Sequence, residues 1–111
     1  MRANELARAT DVSKDTLRYY ENIGLISKPS RNANGYREYS QLHLKEIKFI
    51  KYAKSVGFAL NKIKLAIPHL NNPKPDCPLL KQAVLEQLEQ IETQIQNLSE
   101  AKSTLKKWIQ P

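Results

Sequence analysis

Val12-Ser13-Lys14-Asp15-Thr16-Leu17-Arg18-Tyr19-Tyr20-Glu21-Asn22-Ile23-Gly24 is the stretch on which the fold turns. Ser13 is an N-cap residue and Gly24 a helix stop. Between them Leu17, Tyr20 and Ile23 recur at helical spacing, which predicts a helix from Lys14 to Ile23 with those three facing inward. Upstream, Asn4 can cap a short helix from Glu5 to Ala9, with Leu6 and Ala7 as its apolar side. Thr10-Asp11-Val12 is a tight turn. Two short helices across such a turn have the spacing of a helix-turn-helix, although many helical pairs share it. On the outward face Lys14 and Arg18 lie four apart, with Thr16 and Tyr19 beside them. Like charges so placed cost about 0.2–0.5 kcal/mol in an isolated helix, which an anionic partner offsets. A merely solvated basic face fits the same residues equally well.

Downstream, Asn34-Gly35 is a strong hairpin signal, with both turn residues expected at positive φ. Arg31 and Arg37 flank it. Tyr36 beside the turn is expected outward and Tyr39 packed inward. A hairpin carrying arginine and tyrosine can lie along a phosphate backbone as a wing. Ser40 then caps a helix to about Ser55, with Leu42, Phe49, Ile50, Ala53 and Val56 on one arc and Lys45, Lys48, Lys51 and Lys54 on the other. Such lysines usually form a solvated face; here they add to the field around the hairpin. Gly57 ends this helix, and Leu60 to Ile67 gives a short fourth one closed by Pro68.

Charge divides the 111 residues in two. The net formal charge is +7, and all of it lies in residues 1–70, with thirteen basic and six acidic side chains; residues 71–111 carry five of each. A basic surface of this kind points to nucleic acid or an anionic membrane face. No apolar run reaches the length of a membrane span, and no apolar signal core follows Met1, so the expected setting is intracellular. At 41% hydrophobic residues the chain has enough apolar side chains for a packed core. Neither a paired carboxylate cluster nor a phosphate-cradling glycine loop is present, and His43 sits in a lysine-rich helix, so an enzyme is not expected.

Taken together, Glu5-Leu6-Ala7, Val12-Ser13, Thr16-Leu17-Arg18-Tyr19-Tyr20-Glu21, Gly24-Leu25-Ile26, Arg31, Asn34-Gly35-Tyr36-Arg37-Glu38-Tyr39, Leu42, Ile50, Gly57-Phe58 and Ile63 resemble the winged-helix DNA-binding domain of the MerR transcription regulators. The resemblance spans about residues 1–70. Ala3 stands where the family usually has a larger aliphatic residue. Asp11 stands where glycine is common, and Asp tolerates left-handed φ. The resemblance implies that the second helix enters the major groove, with Ser13, Lys14, Asp15 and Thr16 toward base edges and Arg18 and Tyr19 at the backbone or groove edge. It further implies wing contacts from Arg31, Asn34, Gly35, Tyr36 and Arg37, with Lys54 adding to the phosphate field.

The second part, after the linker 71–76 with its two prolines, reads as a rod over residues 77–109. Asp76 is a good cap and Pro78 is tolerated in a first turn. Val84, Leu88, Ile91, Ile95, Leu98, Leu105 and Ile109 recur at spacings of four and three, with Lys102 at one seam position, over about four heptads. A stripe of that length must pack on something. An antiparallel coiled coil between two copies is the economical solution, and it is also what the resemblance implies. Glu86, Glu89 and Glu92 near the start and Lys106 and Lys107 near the end suit antiparallel pairing. Trp108 can pack on the partner's head.

The expected fold is therefore mostly α, a winged helix-turn-helix with a small β-hairpin and a long C-terminal antiparallel coiled-coil helix. The expected protein is a bacterial, cytoplasmic, nucleoid-associated homodimer on an inverted-repeat site in double-stranded promoter DNA. By the resemblance, it distorts that DNA so that RNA polymerase can engage it. An effector-independent, excisionase-like DNA-bending protein is the alternative. Cys77 has three readings: an inert cysteine, a redox- or electrophile-sensing thiol, or one ligand of a metal site. One thiol per chain does not make the usual zinc or mercury site, and the cysteine loop that completes such sites in thiol-based members is not in this sequence.

Overall fold

A computed structural model describes residues 1–70 and 76–111. Its elements run α1 (Ala3–Thr10), α2 (Lys14–Asn22), β1 (Ser30–Arg31), β2 (Arg37–Glu38), α3 (Gln41–Ser55), α4 (Leu60–Ala66), a 3-10 turn (Ile67–His69) and α5 (Pro78–Ile109). The chain divides into two units, Met1–Asp76 and Cys77–Pro111. The proline linker read from the sequence lies, apart from Asp76, outside the described residues.

The first unit follows the expected order of elements. Ser13 is the N-cap of α2, its Oγ accepting from the Thr16 amide at 3.1 Å. Asp11 ends α1 in the left-handed region (φ 54°), as its short polar side chain permits. Leu6, Leu17, Leu25, Ile47, Ile50 and Ile63 are fully buried, with Tyr20, Ile26, Tyr39 and Ala53 around them. Each such aliphatic side chain stabilises the unit by about 1.5–3 kcal/mol relative to exposure.

Four local expectations are corrected. α1 begins at Ala3, not Glu5, and its entry is closed by the Arg2 amide donating to Glu5 Oε1 (3.2 Å) rather than by Asn4. On α3, Leu42 is exposed, and the inward face carries His43, Glu46, Ile47, Ile50 and Ala53. α4 gives way at Ile67 to a 3-10 turn that contains Pro68, so proline tightens the helix end. The hairpin turn is not built on two left-handed residues. Asn32 O accepts from the Gly35 amide (2.9 Å), and Asn32 Oδ1 accepts from the amides of Asn34 (2.9 Å) and Tyr36 (3.1 Å). Only Gly35 is left-handed (φ 81°). This is the longer hairpin loop closed by a left-handed glycine, with an Asx turn from Asn32 at its base. The strands pair antiparallel, Ser30 with Glu38 and Arg31 with Arg37.

His43 and Glu46 are buried because both hold the segment between α2 and the hairpin. Glu46 accepts from the Ser27 amide (3.1 Å) and hydroxyl (3.0 Å). His43 Nδ1 accepts from the Ser40 amide (3.0 Å), so its proton sits on Nε2, which donates to Ser27 O (2.9 Å). Every polar partner is satisfied, which makes their burial affordable.

The second unit is one helix, α5, 32 residues long, about 48 Å at 1.5 Å per residue. Its N-cap is Cys77, whose carbonyl accepts from the Lys81 amide (3.0 Å), and not Asp76. Within this chain Val84, Leu88, Ile95, Leu98, Leu105 and Ile109 are exposed, as is Trp108, while Ile91 is half-buried. Trp108 lines one apolar surface with Leu98, Leu105 and Ile109. No helix among the described residues is long and apolar enough to cross a membrane.

Candidate nucleic-acid interface

The start of α1, the outer face of α2 and the hairpin enclose a groove of about 420 Å³. Arg2, Lys14, Arg18, Arg31 and Arg37 line it, together with Asn4, Tyr36 and Tyr39, and no carboxylate does. Lys14 and Arg18 share it because their spacing on α2 puts them on one face. Five cations on one concave wall make a strong field for anions.

Each wing arginine is braced differently. Arg31 Nη1 donates to Gly35 O (2.7 Å), tying the strand to its own turn. Arg37 Nε donates to Glu21 Oε2 (2.9 Å), tying the wing to the last turn of α2. Tyr36 is exposed, and the Arg2 guanidinium sits 4.7 Å from its ring centroid, a cation–π contact. Tyr39 is buried, with its ring edge-on to His43 at 5.2 Å. Burial pushes the Tyr39 hydroxyl pKa up, helped by Glu21, while Arg37, Arg18 and Arg31 pull against it. Three groove cations are thus felt at one hydroxyl.

Of the residues expected at the interface, Lys14, Arg18, Arg31, Gly35, Tyr36 and Arg37 come together on this wall. Ser13 and Thr16 are joined in the cap of α2, the Ser13 hydroxyl donating to Thr16 Oγ1 at 2.8 Å. Asp15 and Tyr19 are exposed on α2, and Asn34 is exposed at the hairpin tip. Lys54 is exposed at the end of α3 and does not line the groove. Sequence reasoning missed Arg2, whose ring partner lies 34 positions away, and Glu21, whose role appears only when Arg37 is placed.

Two further lysines are used internally. Lys51 Nζ donates to the carbonyls of Thr10 (2.7 Å) and Asp11 (3.4 Å) at the end of α1. Lys64 Nζ donates to Ile23 O (2.9 Å) at the end of α2. Cations there meet the negative end of each helix dipole.

Cys77 is a half-exposed free thiol. Among the described residues no three His, Cys, Asp or Glu side chains are grouped to hold a metal ion. One sulfur does not fit a zinc, copper or mercury centre, which needs further ligands.

Residues 1–70 match the family model described as MerR HTH family regulatory protein, and residues 44–108 the model described as MerR, DNA binding. The chain is 32% identical over 105 residues to the HTH-type transcriptional regulator CueR of Escherichia coli O6:H1, covering 95% of this chain and 78% of that relative. It is 36% identical over 97 residues to the mercuric resistance operon regulatory protein of Bacillus cereus, covering 87% and 74% respectively. The solved N-terminal part of MtaN, the Bacillus subtilis multidrug transporter activator, is similar at a TM-score of 0.68 and 27% identity, covering all of this chain and 99% of that one.

Proposed function

This chain belongs to the MerR family of helix-turn-helix regulatory proteins, and from that premise we propose that it is a transcription regulator that grips promoter DNA as a homodimer. The observation that carries this reading is the cation-lined, carboxylate-free groove between α1, α2 and the hairpin. α2 presents Lys14, Asp15, Arg18 and Tyr19 outward, as a helix entering the major groove requires. Arg2, Arg31, Tyr36 and Arg37 take the phosphates beside it. Phosphate contacts set register and affinity, and the contacts of α2 to base edges set sequence preference.

The homodimer rests on α5. Six of its seven heptad residues are exposed in the single chain, each losing about 1.5–3 kcal/mol until covered. A second copy laid antiparallel covers the stripe with the same stripe and sets acidic starts against basic ends. Two heads on a two-fold axis read an inverted repeat, and their fixed separation supplies the force that deforms the DNA between them for RNA polymerase.

The test is selection of duplexes from a random-sequence pool, followed by footprinting and salt titration on the enriched site. An inverted repeat is expected, with a log–log salt slope of about −5 to −9 for a dimer neutralising about 6–10 phosphates. No duplex binding at low ionic strength overturns the reading. Clustered direct repeats, with no inverted symmetry, replace it with the architectural one.

A further inference from the structure

Resting on the DNA-binding reading above, we propose that Glu21 is a positioning residue for sequence discrimination, acting on DNA only through Arg37. Glu21 lies in the last turn of α2, and its carboxylate, with 14% of the side chain exposed, binds Arg37 Nε on β2, with 29% exposed, at 2.9 Å. This ion pair joins the helix that faces the bases to the hairpin that flanks it, across 16 positions of sequence.

A carboxylate behind a wall of cations works against phosphate affinity. It neutralises Arg37 and weakens the field of the groove, and a partly solvated ion pair returns little stability for that loss. What the contact does supply is direction. A guanidinium is a planar fork with donors at Nε and at both Nη atoms. With Nε held by Glu21, the guanidinium plane is fixed where Arg37 lines the groove. The other wing arginine gains no such reference to α2, because Arg31 is tied to the hairpin's own Gly35 carbonyl. Glu21 therefore sets the angle between wing and helix, and it exchanges raw affinity for register.

The two accounts of Glu21 diverge in a measurement on the full chain. The probes are the duplex that the native protein enriches from a random pool and a scrambled duplex of the same composition. Glu21→Gln keeps the shape and removes the charge. On the scrambled duplex it is expected to bind about threefold or more tightly at low salt, with the salt slope steeper by about one unit as Arg37 is released to a phosphate. On the enriched duplex it is expected to bind about tenfold more weakly, so the ratio between the two collapses. Glu21→Asp keeps the charge but draws it back by one methylene, and it is expected to lose the ratio as well. If both variants keep the native ratio, or if both affinities fall by one common factor together with the melting temperature, Glu21 is only a stabilising residue and the inference is overturned. Failure of the native protein itself to bind either duplex overturns the DNA-binding reading instead, and is seen before any variant is made.

Discussion

Ile50 on α3 and Leu98 on α5 are similar side chains on amphipathic helices in opposite circumstances. Ile50 is fully buried by its own chain, whereas Leu98 is 69% exposed in it. The first unit closes its core with Leu6, Leu17, Ile47 and Ile63 and satisfies its buried polar groups internally. The helix of the second unit presents an apolar stripe along its length and leaves the covering to something else. One region encodes a fold, and the other encodes a need for company. Substitutions that separate the two roles test the difference.

The largest effect is expected in the second unit. Ile95→Asp with Leu98→Asp places two charges in the stripe, and sedimentation is expected to show a monomer. Operator affinity is expected to fall about 10²- to 10⁴-fold as the two heads lose their mutual effective concentration, while the melting of the first unit stays unchanged. A dimer that survives the pair breaks the comparison. Next comes the core. Ile50→Ala is expected to cost about 2–5 kcal/mol of unfolding free energy in urea, with assembly through α5 retained.

Smaller effects sharpen the picture of the wing. A Cβ at Gly35 meets nothing within 4 Å, so space is not the constraint there, but its φ of 81° is. Gly35→Ala is expected to cost about 1–2 kcal/mol, read as earlier loss of amide protection in the hairpin than in α3. The smallest effect is alkaline. Tyr39 holds its proton more tightly folded than unfolded, so its contribution is complete below its ordinary pKa of about 10 and is lost as pH rises through the folded value. Native stability is therefore expected to fall more steeply above about pH 10 than that of Tyr39→Phe.

Much of this was legible in the sequence because it is local. The cap at Ser13, the inward Tyr39 and the outward Tyr36 each follow from a few adjacent residues, and the span of α5 follows from the repeat along its own length. The rest depends on tertiary neighbours. Apolar periodicity places Leu42 inward and leaves His43 and Glu46 outside, because it has no knowledge of the Ser27 groups that those two hold. It also misses that Asn32, rather than Asn34, organises the turn. The basic surface was visible as composition, but its concave part was not. Arg2, Lys14, Arg18, Arg31 and Arg37 become one wall only when three separate elements are packed.

Lys51 and Lys64 give the head a vulnerability that Lys14 on the groove wall does not share. Each braces the carbonyl end of one member of the helix pair, from an element later in the chain. An acyl group placed on Lys14 removes one cation from the groove wall and leaves the scaffold standing. The same group on Lys51 or Lys64 removes a strut, and the pair of helices loosens before any nucleotide is touched.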